Sequence, residues 1–451
     1  MVSTGIIAAL KNRKIPVAPF KKGPDYIDAG WLAYAAGRPC YNLDTFLIPE
    51  DRILASFNLH TSIDALAIIE GNRGLYDCIN IEGNTSTAEL AKLLDGPVIL
   101  VLDCTKTTRT MAAVILGLQH FDPEVKIAGV ILNQTAGDRH VQILKSSIEH
   151  HCGVPVLGAL PKIKEEIFPE RHMGLVPTFE HQWARESIEK IVRIAETHMD
   201  LDQMIKISGY QAMDHPPALE VLERLPEKAL LPERSTSPVI GVIKDSAFQF
   251  YYPENIEALE REGAVVQFFS PLTSSDFPEI DGLYIGGGFP ETHARELARN
   301  TAFKSRLKSL AENGLPVYAE CGGLMYLGEE LILDGTSYPM AGVLPIVFGF
   351  SKKPRGHGYT VVRVEKENPF YETGLEFKGH EFHYSTVVKW GGADGDLAFN
   401  MIRGAGFING RDGVCHKNVL ATYTHIHSLG LPQWARAMVV NAAAYKKKRN
   451  S

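Results

Sequence analysis

The sequence predicts an α/β protein built from two doubly wound domains in succession. Three observations carry that expectation. Short runs that are apolar at nearly every position recur through residues 1–196 and again through 238–447, the pattern of strands buried on both faces of a parallel sheet. Stretches of helical length and spacing separate these runs. A Pro- and Ser-rich interval, 197–237, interrupts the rhythm and reads as a linker.

In the first domain, Met1–Leu10 has helical spacing, and Pro19–Trp31 mixes cations, carboxylates and aromatics in a predicted loop. Strands follow at Ala65–Ile69, Pro97–Leu102 and Ile127–Leu132, with helices at Thr110–His120 and His140–His151 between and after them. The linker carries Pro216, Pro217, Pro226 and Pro232, with one short helix predicted at Ala218–Leu225. In the second domain, strands at Val239–Ile243, Ala264–Phe269, Gly282–Ile285 and Leu315–Ala319 predict a largely parallel sheet.

Bulk properties narrow the function. A chain of 451 residues exceeds what one core of ~250–300 residues supports. A net charge of -7 gives no electrostatic footprint for nucleic acid, and the basic run Lys446–Arg449 reads as a solvated tail. The six cysteines stand alone without CxxC spacing, which argues against zinc or a redox pair and suits a reducing compartment. With no signal peptide and no bilayer-length apolar run, a cytoplasmic protein with no membrane partner is expected.

The sharpest local signal is Pro316–Leu327, PVYAECGGLMYL. An apolar strand runs into Cys321, two glycines and a helix, an elbow that lifts a side chain to the end of a sheet. Gly322 and Gly323 relieve crowding in the turn, and the helix N-terminus is expected to lower the thiol pKa. A lone cysteine is ordinarily a core residue, but the elbow favours a nucleophile within solvent reach. A base must come from elsewhere in the chain, and His425 and His427 follow the strand-like Leu420–Thr422 on one face, with His425 preferred. Gly286–Gly288 form a second glycine turn after a strand, whose amides could hold an oxyanion, a task worth roughly 10²–10³ in rate per donor. In the first domain Glu70 ends a strand, at the edge where open α/β sheets bind ligands and where a carboxylate can serve Mg2+ beside a phosphate.

The elbow, the GGGFPE loop at Gly286–Glu291, the segment Gly379–Ser385 (GHEFHYS) and Tyr423–His425 together resemble the glutaminase domain of the cobyrinate a,c-diamide synthases, flavodoxin-like class I glutamine amidotransferases of the cobalamin pathway. GPDYIDAGW, NLDTF, EGNRGLYD, AAVILGLQHFDP and PERHMGLV resemble the same family's synthetase domain, a P-loop-type ligase similar to dethiobiotin synthetase. The resemblance implies that Cys321 attacks glutamine, His425 moves the proton, and Gly287, Gly288 and Gly322 supply the oxyanion site. It further implies that Lys21 neutralises phosphate, Asn133 reads adenine, Asp44 and Glu70 hold Mg2+, and Asp25, Tyr26 and Asp77 meet the substrate. ATP is then a co-substrate, glutamine and a corrinoid are the partners, and a homodimer is an admissible assembly.

Two departures stand out. Many related amidotransferases have glutamate two residues after the histidine, where this chain has His427, so the third triad role stays open. The family also begins with a strand and a GxxxxGKT-type loop, whereas Met1–Leu10 looks like the helix after it, so on the order of 15–20 residues are expected to be missing. Either the start lies upstream or the domain lacks its first strand and cradle, with ATP affinity lost. The alternatives are a,c-diamidation of hydrogenobyrinate or nickel-sirohydrochlorin, or an ATP-inactive glutaminase or tetrapyrrole-binding protein.

Overall fold

The computed structural model describes residues 1–163, 170–171, 174–175, 184–211 and 237–450. The short helix expected at Ala218–Leu225 and half of PERHMGLV lie outside them. Contacts divide the chain into two units, Met1–Ala218 and Leu219–Ser451.

The first unit runs α1 (Val2–Asn12), β1 (Val17–Lys22), α2 (Ile27–Ala36), β2 (Tyr41–Leu43), α3 (Glu50–His60), β3 (Leu66–Glu70), α4 (Thr87–Leu93), β4 (Val98–Asp103), α5 (Thr110–Phe121), β5 (Ile127–Thr135), α6 (Asp138–Cys152), β6 (Val156–Pro161), the two-residue strands β7 (Glu170–Arg171) and β8 (Gly174–Leu175), α7 (Ala184–His198) and α8 (Leu201–Ser208). The strands form two separate parallel sheets, β2-β1-β3 and β4-β5-β6, with the small β7–β8 pair apart. Between β3 and β4 lies a groove of about 540 Å3 lined by Ile69, Glu70, Val98 and Leu100 among others. Val101, apolar and in mid-strand, is 47% exposed there.

Two expectations change. Part of the predicted loop at Pro19–Trp31 is strand and helix: β1 is buried at all six positions, despite Lys21 and Lys22, and α2 starts at Ile27. Pro19 is tolerated because pairing with β2 begins only at Phe20. Residues 201–208, placed in the linker, instead form α8, capped where Asp200 accepts a hydrogen bond from the Gln203 amide at 2.9 Å. Leu201 and Met204 on α8 join the core of the first unit.

The second unit begins with β9 (Val239–Ile243), α9 (Pro253–Arg261), β10 (Val265–Phe269), β11 (Gly282–Ile285), α10 (Ala294–Arg299), α11 (Thr301–Glu312), β12 (Val317–Glu320) and α12 (Gly322–Leu327). It continues with β13 (Glu330–Leu333), β14 (Thr336–Pro339), β15 (Ile346–Phe350), β16 (Gly356–Val364), β17 (Glu376–His383), β18 (Ser385–Trp390), β19 (Leu397–Arg403), β20 (Arg411–His416), β21 (Val419–Thr422) and α13 (Gln433–Asn450). Its nine-stranded sheet has the order β10-β9-β11-β12-β21-β20-β19-β16-β17. The first five strands are parallel, as expected, and the last four continue antiparallel because short turns rather than helices join several of them. A four-stranded sheet, β14-β13-β15-β18, stands apart.

Alternation along the central strands builds a core on each face. Leu283, Ile285, Val317 and Ala319 face α10, α11 and α12, while Tyr284, Tyr318 and Leu420 face α9 and α13. Trp434 on α13 is fully buried and stacks edge-on against Tyr284 and Tyr318 at 4.9 and 5.5 Å. Trp434→Ala is therefore expected to cost about 3–5 kcal/mol of stability, read as a lower urea midpoint. An unchanged midpoint would show that α13 does not anchor this face.

Candidate active site

Strand β12 ends at Glu320, and Cys321 adopts φ 46°, ψ -98° before α12 begins at Gly322. That strained turn is the expected elbow. Parallel register with β21 sets Glu320 beside Thr422, and the Cys321 amide donates to the Thr422 carbonyl at 2.8 Å. The thiol is not in solvent reach, contrary to expectation: Cys321 is only 4% exposed, with Sγ 4.0 Å from the Phe382 carbonyl at the end of β17. Burial, followed by the charge of Glu291, pushes the thiol pKa up well above its ordinary value, and the amide of Gly322 only partly opposes this. The helix N-terminus does not dominate because β17, remote in sequence, covers the turn.

His425 follows β21 and is 2% exposed. Its Nδ1 lies 3.2 Å from Glu320 Oε2. Its ring stacks on His380 at 4.9 Å, and the two backbones exchange hydrogen bonds of 3.1 and 2.8 Å. Burial, with His425 and His427 nearby, drives the His380 pKa well below its ordinary value, so His380 stays neutral, its Nε2 2.8 Å from Tyr252 Oη. The turn carrying His425 is fixed by buried Asp412, which accepts from Thr422 Oγ1 at 2.7 Å, from Thr424 Oγ1 at 3.2 Å and from the amides of Tyr423 and Thr424.

The glycine loop closes against both residues. A Cβ on Gly287 would stand 2.4 Å from His425 Cε1, and one on Gly322 would stand 2.9 Å from the Gly288 nitrogen. The structure thus brings Cys321, His425, Gly287, Gly288 and Gly322 together. His427 goes elsewhere: its Nε2 faces Glu254 Oε1 at 3.6 Å and its Nδ1 accepts from the Leu429 amide at 3.2 Å. The GHEFHYS segment walls the thiol, with His383 stacked on Tyr423 at 3.7 Å and Ser385 Oγ 2.6 Å from Tyr423 Oη. Glu320, Glu254 and Asp412 were missed by sequence reasoning. Only Glu320 left a signal, a carboxylate closing an otherwise apolar strand directly before Cys321.

In the first unit, register sets Lys21 of β1 opposite Glu70 of β3. Lys21 Nζ bonds Glu70 Oε1 at 2.9 Å and the Gly71 carbonyl at 3.1 Å, and lies 3.3 Å from Asp28. Burial alone would lower the Lys21 pKa, but Glu70, Asp25 and Asp28 outweigh it and hold the ammonium charged. Asp25 Oδ1 accepts from the amides of Ile27 and Asp28, both at 2.9 Å, and Tyr26 is the N-cap residue of α2. Asp44, 1% exposed, uses Oδ1 to accept from the amides of Phe46 and Leu47. Asp77 accepts from the Gly74 amide, and Asn133 lies on the β4-β5-β6 sheet with Oδ1 accepting from the Gln134 amide. Lys21, Asp25 and Glu70 are gathered, whereas Asp44, Asp77 and Asn133 each stabilise a local turn. Among the described residues, no three His, Cys, Asp or Glu side chains converge as a ready metal set.

A cysteine on an elbow, a histidine steadied by a carboxylate and a glycine loop against both define, on this sheet, a glutamine amidotransferase. Residues 239–431 match the model of the CobB/CobQ-like glutamine amidotransferase domain, and residues 50–169 match an AAA domain. The chain belongs to the cobyrinate a,c-diamide synthase family. It is 42% identical to the cobyrinate a,c-diamide synthase of Magnetococcus marinus over 96% of this chain and 92% of that protein. Identity to the enzyme of that name is 39% for Archaeoglobus fulgidus, over 99% of this chain and 95% of that one, and 38% for Methanobrevibacter smithii, over 98% and 95%. Among the described residues, no helix is long and apolar enough to cross a membrane.

Burial, with Asp28 adjacent, raises the Asp25 carboxyl to about 6, although Lys21 opposes the shift. An unfolded Asp titrates near ~3.9, so the fold favours the protonated form and loses stability as pH rises from ~4 through ~6. Asp25→Asn, whose Oδ1 can still accept from the Ile27 and Asp28 amides, is expected to stabilise the protein by about 1–3 kcal/mol at pH 7.5, with the gain fading toward pH 4. Urea melts at the two pH values measure this, and an equal gain at both would contradict it.

Proposed function

We propose that this protein amidates the a and c carboxylates of cobyrinate, using ATP and glutamine. The elbow at Cys321 beside a carboxylate-held His425 is the observation that carries the reading, and the names of the relatives supply the substrate. At rest the raised thiol is neutral, so attack on the glutamine side-chain carbonyl needs a base in place. His425 Nε2 takes the thiol proton as the S–C bond forms, and the backbone amides of Gly287, Gly288 and Gly322 receive the oxyanion. The imidazolium then returns the proton to the departing nitrogen, which leaves as ammonia, and water hydrolyses the thioester to glutamate.

A carboxylate is a poor acyl donor, and phosphorylation by ATP gives it a leaving group. In the first unit, Lys21 would neutralise transferred phosphate, Asp25, Tyr26 and Asp77 would meet the corrinoid, and Asn133 would contact adenine. Glu70 fits a metal role because Oε1 takes Lys21 and Oε2 remains for another partner, whereas Asp44 is committed to its turn through Oδ1. Mg2+ held by Glu70 and Asp44 would offset phosphate charge.

The test is incubation with cobyrinate, ATP, Mg2+ and glutamine, followed by mass spectrometry. Two successive carboxylate-to-amide conversions are expected. Conversion of hydrogenobyrinate or nickel-sirohydrochlorin but not cobyrinate would replace the substrate. Cys321→Ala is expected to abolish glutamine hydrolysis and glutamine-dependent amidation while sparing amidation with ammonium. Undiminished glutamine hydrolysis would remove Cys321 from the chemistry.

A further inference from the structure

The carboxylate that steadies His425 does not come from two residues further on, because His427 is turned toward Glu254 at 3.6 Å. It comes from the residue immediately before the nucleophile. Glu320 Oε2 lies 3.2 Å from His425 Nδ1, while Oε1 accepts from the Ile426 amide at 3.3 Å. Tyr284 Oη also donates to Oε2 at 3.2 Å. Glu320 is fully buried, and its carboxylate is met by these three protein groups.

We propose that Glu320 is the third member of the catalytic set, a positioning residue that holds the proton on Nδ1 of His425 and thereby leaves Nε2 as the base for Cys321. This rests on the glutaminase reading of Cys321 and His425. The geometry fixes the tautomer in a definite way. An ionised carboxylate accepts only, so Nδ1 must donate to it, and Nε2 must carry the lone pair. The same negative charge stabilises the imidazolium formed when the thiol proton arrives. The other groups around the ring do not compete for this task. His380, stacked on one face, is held neutral, and Tyr284 is raised well above its ordinary pKa by burial and by Glu320, so it remains a donor. After burial, Glu291 is the next influence that raises the Cys321 thiol. Placing the carboxylate next to the nucleophile ties three functions to one turn: Glu320 orients the base, Cys321 attacks, and Gly322 helps receive the oxyanion.

Glu320→Gln distinguishes positioning from packing. The amide keeps the volume and can donate to Nδ1, which inverts the tautomer. For glutamine hydrolysis we expect kcat to fall by roughly 10²–10⁴, by analogy with the wrong-tautomer effect in carboxylate–histidine hydrolases, with KM for glutamine changed less than threefold. Ammonium-dependent amidation should be retained, and Glu320→Asp should recover part of the lost kcat. A kcat within threefold of the unaltered protein would overturn the assignment. Equal loss with glutamine and ammonium would also overturn it, by showing a structural defect. The assignment can be checked without substitution by nitrogen NMR of histidine-labelled protein. His425 protonated at Nδ1 supports it, and protonation at Nε2 alone overturns it. Failure of the underlying glutaminase reading would appear separately, as glutamine hydrolysis that survives Cys321→Ala.

Discussion

The side-by-side parallel pairing of β12 and β21 governs the second unit. Their register aligns Glu320 with Thr422, so each strand delivers its chemistry just past its C-terminal end. Both are buried at every position and lie mid-sheet, where a shift of one residue would exchange the faces of Tyr318 and Leu420 with those of Val317 and Ala319. Apolar packing therefore fixes where a thiol and an imidazole emerge. The price is a strained φ of 46° at Cys321, maintained by the glycine that follows and by the hydrogen bond its amide donates to the Thr422 carbonyl.

Charge is handled differently in the two units. In the first, a buried ammonium is surrounded by carboxylates, and Lys21 answers Glu70, Asp25 and Asp28. In the second, carboxylates lie buried against histidines and backbone amides. Glu320, Glu254, Glu381 and Asp412 are each at most 2% exposed, and each faces imidazole, hydroxyl or N–H groups. A buried carboxylate needs such partners, and removing one leaves a charge that water cannot reach.

Much of this was legible in the residues. The elbow, the GGGFPE loop and the histidine after β21 each combine an apolar run with glycine or histidine at its end, and such signals are local. The parallel strands were readable for the same reason, since burial on both faces leaves an unbroken apolar run. What local reasoning missed depended on remote partners. Cys321 is buried because Phe382, 61 residues away, lies over it. His427 pairs with Glu254, whose strand-to-helix position gives no hint of that contact. Lys21 and Lys22 look solvated in the sequence, which hides the end of β1, yet both are buried beside Glu70 and Asp44. Asp44, given a metal role by resemblance, also closes a turn with its own neighbours, which the sequence did not reveal.

Asp412 has a kinetic meaning as well. Its bonds to Thr422, Tyr423 and Thr424 span only 10 to 12 residues, within the β20–β21 hairpin. The Glu320–His425 bond spans 105 residues. Closing a short loop is entropically cheap and fast, while long-range strand pairing is slow. The hairpin can therefore mould the histidine turn early in folding and wait for the elbow to dock. On this ordering, Glu320 and His425 meet only once β12 pairs with β21, after the hairpin has shaped the turn that carries the histidine.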